Sequence, residues 1–197
     1  MISPILSNHK PVNSQHLVDA FVTTMRDQRI SDFDFDKALR SWELQKGHPV
    51  IHVSFTESRQ FHITQERYFT QKRSTSNDTS SWYIPLNFAT ASNPDFDDTK
   101  IADFFVNDQP MAMIDAPEQF NGSQWYVFNK QQLGYYRVNY DFANWHALIL
   151  ALNSDEHDKI HVLNRVQLKD VSNNLSPSPI KMDTQLTLFE VTSTITL

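Results

Sequence analysis

Between residues 49 and 140 the apolar side chains recur at every second position in short runs, the period imposed by the alternating faces of a β-strand. Ile51, Val53 and Phe55 fall on one face, with Val50, His52 and Ser54 on the other, and Phe61 and Ile63 repeat the pattern. After a polar run at 71–81 that reads as a loop, Trp82, Ile84, Leu86 and Phe88 alternate again as a single strand. Shorter candidates follow at 101–106, 111–115, 124–129 and 134–140, divided by Asn93-Pro94, Asn107-Asp108, Pro117 and Asn121-Gly122. About seven short strands at this spacing predict a small β-sandwich.

Outside that stretch the period becomes helical. Leu17, Phe21 and Met25, with Val18 and Val22 beside them, form an amphipathic stripe behind Asn13 and Ser14 as caps. A second helix is expected at 35–44, with Phe35, Ala38 and Trp42 on one side and Gly47 and Pro49 to end it. Beyond Asp141, Phe142, Trp145, Ile149 and Leu152 fall three or four apart, widened by Ala143 and Leu148. A further helix over 157–175 should carry Ile160, Leu163, Val166, Val171 and Leu175 inward before Ser176-Pro177-Ser178-Pro179 interrupts it. The tail from Ile180 reads equally as helix or, in its Thr-rich end, as strand. The expected fold is therefore mainly β with helical ends: a small sandwich of about seven strands flanked by α-helices, divided at 1–48, 49–140 and 141–197.

Charge and residue usage narrow the function. With 197 residues and a net charge of −6, the chain offers no basic stripe to a phosphate backbone, so nucleic acid is not an expected partner. The absence of cysteine removes disulfides, thiolate zinc sites and a thiol nucleophile. Residues 1–10 lack the apolar core of a signal peptide, and no apolar run of about 20 residues is present to span a bilayer. Three N-x-[ST] sequons, at Asn77, Asn121 and Asn174, would be glycosylation acceptors in a secreted chain.

Several side-chain groupings invite a chemical reading and each has a plainer one. His157 and His161 have the i, i+4 spacing that lets two imidazoles share a metal on a helix, but Asp158 stands where a catalytic Glu would follow the first His. A solvated helix end is the simpler reading. His52 and His62 fall on the outward face of neighbouring strands and could pair across them, without a third ligand. Asp95, Asp97, Asp98 and Asp103 supply oxygen atoms that a hard cation prefers, but lack the spacing and the glycine of a calcium loop. Alternation assigns Tyr136, Val138 and Tyr140 to the sandwich core, with Trp145 packing from the next helix, rather than to a binding platform with Tyr135 and Trp125. Arg137 and Arg165 are expected to hold carboxylates such as Asp141 or Asp170.

Three passages, in order, carry a family resemblance. The first is Trp42-Glu43-Leu44-Gln45-Lys46-Gly47-His48-Pro49-Val50. The second is Gln65-Glu66-Arg67-Tyr68-Phe69 with Trp82-Tyr83-Ile84-Pro85. The third is Asn129 followed by Gly134-Tyr135-Tyr136-Arg137-Val138-Asn139-Tyr140-Asp141, then Asn144-Trp145, and Ile160-His161 with Asn164-Arg165-Val166-Gln167-Leu168. Across 42–170 these resemble the aminopeptidase N-like zinc aminopeptidases, in which a β-sandwich lies between the peptidase domain and a large helical C-terminal domain. Lys169, Val171 and the Ser-Pro-Ser-Pro run depart from the family pattern.

The resemblance implies that 1–48 is the end of the peptidase-domain helices, 49–140 the sandwich, and 141–197 the start of the helical C-terminal domain. It also implies a parent enzyme that uses zinc, held by H-E-x-x-H and a further Glu, to remove N-terminal amino acids. No H-E-x-x-H stands in this sequence, so no catalytic residue, metal ligand or cofactor is assigned to it, and it is not expected to be an enzyme on its own. The expected role is that of a fragment or truncated paralogue supplying the spacer sandwich, with the missing peptidase and C-terminal domains as partners. The alternative is a catalytically inactive protein that binds a related aminopeptidase. Relatives are mostly held at the plasma membrane or outside the cell; this sequence shows neither leader nor anchor.

Overall fold

A computed structural model describes residues 13–27, 33–69, 78–105, 108–109 and 111–174. The chain forms two compact units, Met1–Lys46 and Gly47–Leu197.

The first unit holds two helices, α1 (Ser14–Asp27) and α2 (Phe35–Glu43). Asn13 Oδ1 accepts the His16 N–H at 3.0 Å and Asp34 Oδ1 accepts that of Lys37 at 3.0 Å, so each helix begins on a side chain that satisfies an orphan amide. Phe21 and Phe35 stack at 4.2 Å, Ser14 Oγ donates to Glu43, and Val18 and Ala38 are buried. The stripe expected from sequence is real except for Val22, which lies on its exposed edge.

The second unit is the sandwich and its following helices. Its strands are β1 (Pro49–Phe55), β2 (Gln60–Arg67), β3 (Ile84–Leu86), β4 (Phe88–Thr90), β5 (Asp103–Phe105), β6 (Ala112–Asp115), β7 (Tyr126–Phe128) and β8 (Arg137–Tyr140). A four-stranded sheet in the order β6-β2-β1-β8 is joined by two ladders, β3–β5 and β4–β7. β1 and β2 form an antiparallel pair from Pro49↔Arg67 to Phe55↔Phe61, whereas β8 lies parallel to β1. That parallel pair places β1 inside the sheet, and Val50, on the face expected to be outward, is buried along with Ile51 and Val53. Phe61 joins the layers: its ring lies 5.1 Å from Phe88, 4.8 Å from Tyr126, 5.3 Å from Phe128 and 5.5 Å from Phe120. These separations suit aromatic packing and mark the centre of the core.

The run 82–88, expected as one strand, is two. Asn87 is buried between β3 and β4, its Oδ1 accepting from Lys130 N at 2.8 Å and its Nδ2 donating to Thr99 O at 3.0 Å. The chain changes partner from β5 to β7 at that point.

The two helices that follow are α3 (Phe142–Leu152) and α4 (Val162–Asn174). Asp141 caps α3, accepting the Asn144 N–H at 2.8 Å. Trp145, Leu148 and Leu152 are buried as expected, but Phe142 points outward, 64 % exposed. The expected helix from 157 is a separate 3₁₀ turn, His157–Lys159, followed by buried Ile160 and then α4. In α4 the inward face is Asn164, Gln167, Leu168 and Val171; Leu163 and Val166, expected inside, are 46 % and 63 % exposed. No described helix is long and apolar enough to cross a membrane.

Phe61→Ala should remove the ring common to both layers and lower unfolding free energy by about 3–5 kcal/mol, measured by urea denaturation. A loss below about 1 kcal/mol would place the core elsewhere.

Candidate functional site

Between β7 and β8, residues 129–134 form a turn with an unusual backbone. Asn129, Gln131 and Gln132 have φ of 61°, 54° and 60°, the left-handed region that non-glycine residues avoid. Such residues cost on the order of 1–3 kcal/mol each and persist only where surrounding bonds over-determine them. Here the bonds come from buried asparagines. Asn129 Nδ2 donates to Gly134 O at 2.9 Å and Tyr136 O at 3.0 Å, while its Oδ1 accepts from Gly134 N at 2.8 Å. Asn164, reaching from α4, accepts from Gln131 N at 2.9 Å and donates to Asn129 O at 2.8 Å. Asn129 N donates to Asn87 O at 3.0 Å. Asn164 can do this only from the inner face of α4, which explains why Leu163 and Val166 face out.

The rest of the Gly134–Asp141 passage is committed to the same junction. A Cβ on Gly134 would overlap the Tyr136 ring. Tyr136, Val138 and Tyr140 are buried as alternation predicts; the Tyr136 hydroxyl donates to Pro85 O at 2.9 Å and the Tyr140 oxygen accepts from Phe128 N at 2.9 Å. Burial pushes both phenols well above the usual tyrosine range, so they stay neutral donors and acceptors. Asn139 Oδ1 accepts from Trp145 Nε1 at 3.0 Å, and Trp145 meets Tyr140 edge-on at 5.8 Å. Asn144 accepts from Tyr126 N at 3.0 Å and donates to Tyr126 O at 2.9 Å, completing the edge of β7 as another strand would.

Tyr135 alone turns outward, 73 % exposed. It borders an open groove of about 760 Å³ whose walls include His48, Leu133, Arg137, Leu163, Val166 and Asp170. His48 stacks on Tyr68 at 5.0 Å and tilts against Tyr135 at 5.2 Å. The Arg137 guanidinium lies 4.2 Å from the Tyr68 ring centre, and its Nη1 is 2.9 Å from Asp170 Oδ2. That nitrogen has no hydrogen-bond alignment, so the contact is electrostatic; with Arg137 27 % and Asp170 45 % exposed it contributes at most about 1 kcal/mol. Partial burial, and then the neighbouring Arg137 charge, hold the His48 pKa below the ordinary histidine value. Leu133, at 64 % exposed, joins Tyr135, Leu163 and Val166 as an apolar rim. The groove's lining combines this apolar rim with one partly screened ion pair.

The other expected sites resolve individually. His157 and His161 are not on one helix: His157 contacts Ser154 O and Asp158, and His161 Nδ1 accepts from Leu163 N at 3.3 Å. His52 and His62 are diagonal rather than opposed, since His62 pairs with Ser54; His52 instead bonds Glu66 at 3.0 Å. Asp95 accepts from Asp97 N and Asp98 N, Asp98 from Lys100 N and Asp103 from Phe104 N, so these carboxylates cap their own loop. Arg137 takes Asp170 as expected, but Arg165 takes Asp158, 3.3 Å away, because the turn before α4 brings that carboxylate closer. Asp141 is used by backbone, accepting from Phe55 N at 3.1 Å as well as capping α3. Among the described residues no group of three or more His, Cys, Asp or Glu could hold a metal ion. Asn121 is exposed in a turn, Asn174 ends α4, and Asn77 lies outside the described residues. The groove was not expected from sequence, in which Leu163 and Val166 read as inward positions.

Comparison with known proteins gives this junction a context. Residues 125–188 match the model of the ERAP1-like C-terminal domain, a span that takes in β7, β8, α3 and α4. The chain is 40 % identical over 139 residues to membrane alanyl aminopeptidase of Heliothis virescens, covering 70 % of this chain and 13 % of that protein. It is 40 % identical over 140 residues to aminopeptidase N of Plutella xylostella, covering 70 % and 14 %. Against aminopeptidase N of Homo sapiens it is 29 % identical over 163 residues, covering 77 % and 15 %. The chain thus spans roughly an eighth to a seventh of the curated relatives it matches.

Asn129→Gly relieves a left-handed side chain yet removes three hydrogen bonds, so it should destabilise by about 1–3 kcal/mol in urea. A neutral or stabilising effect would show that backbone strain, not bonding, dominates the turn. His48 supplies a pH test. Its folded pKa is below its unfolded one, so on acidification the unfolded chain takes up this proton first, and stability present above about pH 6.5 is lost as pH falls through the folded value. In His48→Gln the fall of the urea midpoint from pH 7 to about pH 5 should be shallower than in the parent chain.

Proposed function

The chain belongs to the aminopeptidase N-like family, and on that premise we propose that it is the non-catalytic section of a zinc-dependent aminopeptidase, or of a truncated paralogue, whose parent removes N-terminal amino acids from peptides. Its work is mechanical: the sandwich holds the flanking domains at a fixed spacing. Zinc and the catalytic carboxylates belong to the parent's peptidase domain. The observation that carries this reading is the use of the Gly134–Asp141 passage. Its polar side chains, with Asn129, Asn144 and Asn164, bind backbone or each other across the junction, which is the chemistry of a fixed joint rather than of a reaction centre.

The apolar rim supports a second element of the same reading. Leu133, Tyr135, Leu163 and Val166 border one groove, and Phe142 and Leu150 stand exposed on α3. Helices that carry Leu, Val and Phe outward are partly unburied by ordinary standards. We assign this face to further helices of the C-terminal domain whose family model matches at 125–188. An inactive protein that binds a related aminopeptidase would present the same face to a different molecule.

The purified chain, supplied with zinc, should not turn over a fluorogenic aminoacyl substrate above a protein-free blank. Chelator-sensitive turnover that persists through repeated purification would contradict the proposal.

A further inference from the structure

The three sequons are indistinguishable by motif, but the described geometry singles out one. Asn121, Gly122 and Ser123 are all exposed, in a turn that a hydrogen bond from Gln124 N to Asn121 O closes at 3.1 Å. The turn is anchored from both sides. Arg59 Nη2 donates to the carbonyls of Pro117, Glu118 and Phe120 at 3.2, 2.9 and 3.0 Å, and a Cβ on Gly122 would lie 2.6 Å from the Phe55 ring. Buried Phe120 and Trp125 bracket it. Within the turn, Asn121 Oδ1 accepts from Ser123 N at 3.2 Å and from Ser123 Oγ at 2.6 Å. The carboxamide oxygen is thus held by the sequon's own hydroxyl, while Nδ2, on an exposed side chain, has no hydrogen-bond partner among the described residues.

We propose that Asn121 is an N-glycosylation site, its glycan carried on the folded sandwich without disturbance. The donor is an oligosaccharide linked through pyrophosphate to a membrane lipid. Asn121 Nδ2 forms a bond to C1 of the reducing-end N-acetylglucosamine, the C1–O bond to the phosphate breaks, the lipid pyrophosphate leaves with the electron pair, and Nδ2 gives up one proton. No electron transfer is involved, and the amide oxygen keeps its bonds to Ser123. A glycan at this nitrogen leaves Phe120, Phe55 and Trp125 where they are, because the turn below it is fixed through backbone and Gly122. Asn174, by contrast, is the final residue of α4, within helical backbone. The site does not depend on the functional reading above.

The test is translation of the complete chain behind a cleavable secretion leader, with an added C-terminal reporter sequon, in a cell-free system containing rough microsomes. Chains whose reporter is glycosylated have entered the lumen. In those chains, peptide-N-glycosidase F treatment in heavy-oxygen water should convert Asn121 to heavy-labelled Asp, read by mass spectrometry of the peptide. Asn121→Gln and Ser123→Ala should abolish that label, and Ser123→Thr should retain it. The glycosylated and enzymatically deglycosylated chains should unfold at the same urea midpoint. Reporter glycosylation with Asn121 unmodified would overturn the proposal, as would a glycan at Asn121 that abolishes the cooperative unfolding transition.

Discussion

The junction between sheet and helix depends on a set of hydrogen bonds from buried asparagine side chains to backbone. Asn87, Asn129 and Asn164 come from three distant parts of the chain, yet all meet the turn that follows β7. An amide side chain carries both donors and an acceptor, so one residue can satisfy an N–H and a C=O of a backbone that has left regular structure. Without those bonds the left-handed residues of the turn would be strained and their buried backbone groups unpaired, each at a cost of about 1–3 kcal/mol. With them, the turn fixes where β8 begins and which face of α4 points inward.

This arrangement also accounts for the chemical character of the family passage. A catalytic centre keeps reactive groups accessible and poised; here Asn139, Asp141 and Asn144 are spent on Trp145, Phe55 and Tyr126. Tyr135 is the exception, directed into the groove beside His48 rather than into the core. The proposed spacer role would draw on such a joint, with one apolar face left for a neighbour. The match at 125–188 begins just before β7, and the asparagine bonds tie residues inside that span to Asn87 outside it.

Much of the fold was legible because alternation and helical spacing report burial directly. Tyr136, Val138 and Tyr140 on one face and the packing of Trp145 followed from period alone. What alternation does not encode is a strand's partner: nothing in residues 137–140 announces that β8 lies parallel to β1, or that Val50 is consequently covered. Polar residues misled for a related reason. Asn87 falls between the alternating residues of a run expected as one strand, and Asn164 lies beside Leu163 in a helix whose expected inward stripe holds Leu163 and Val166. Both are buried because they bond a turn distant in sequence, information that a local window does not contain. Arg165 was paired correctly with a carboxylate but the wrong one, since the break between the His157–Lys159 turn and α4 was not visible in the period.

If the asparagine bonds make the sandwich and α4 one cooperative structure, their amides must open together. Native-state hydrogen exchange on the complete chain tests this most directly, by comparing Leu168 and Val171 of α4 with Val53 and Ile63 of the sheet. The bonds to Asn164 predict that all four exchange through the same global opening, with equal free energies and equal dependence on denaturant. Exchange of Leu168 and Val171 through a separate opening, several kcal/mol below that of Val53 and Ile63, would contradict it.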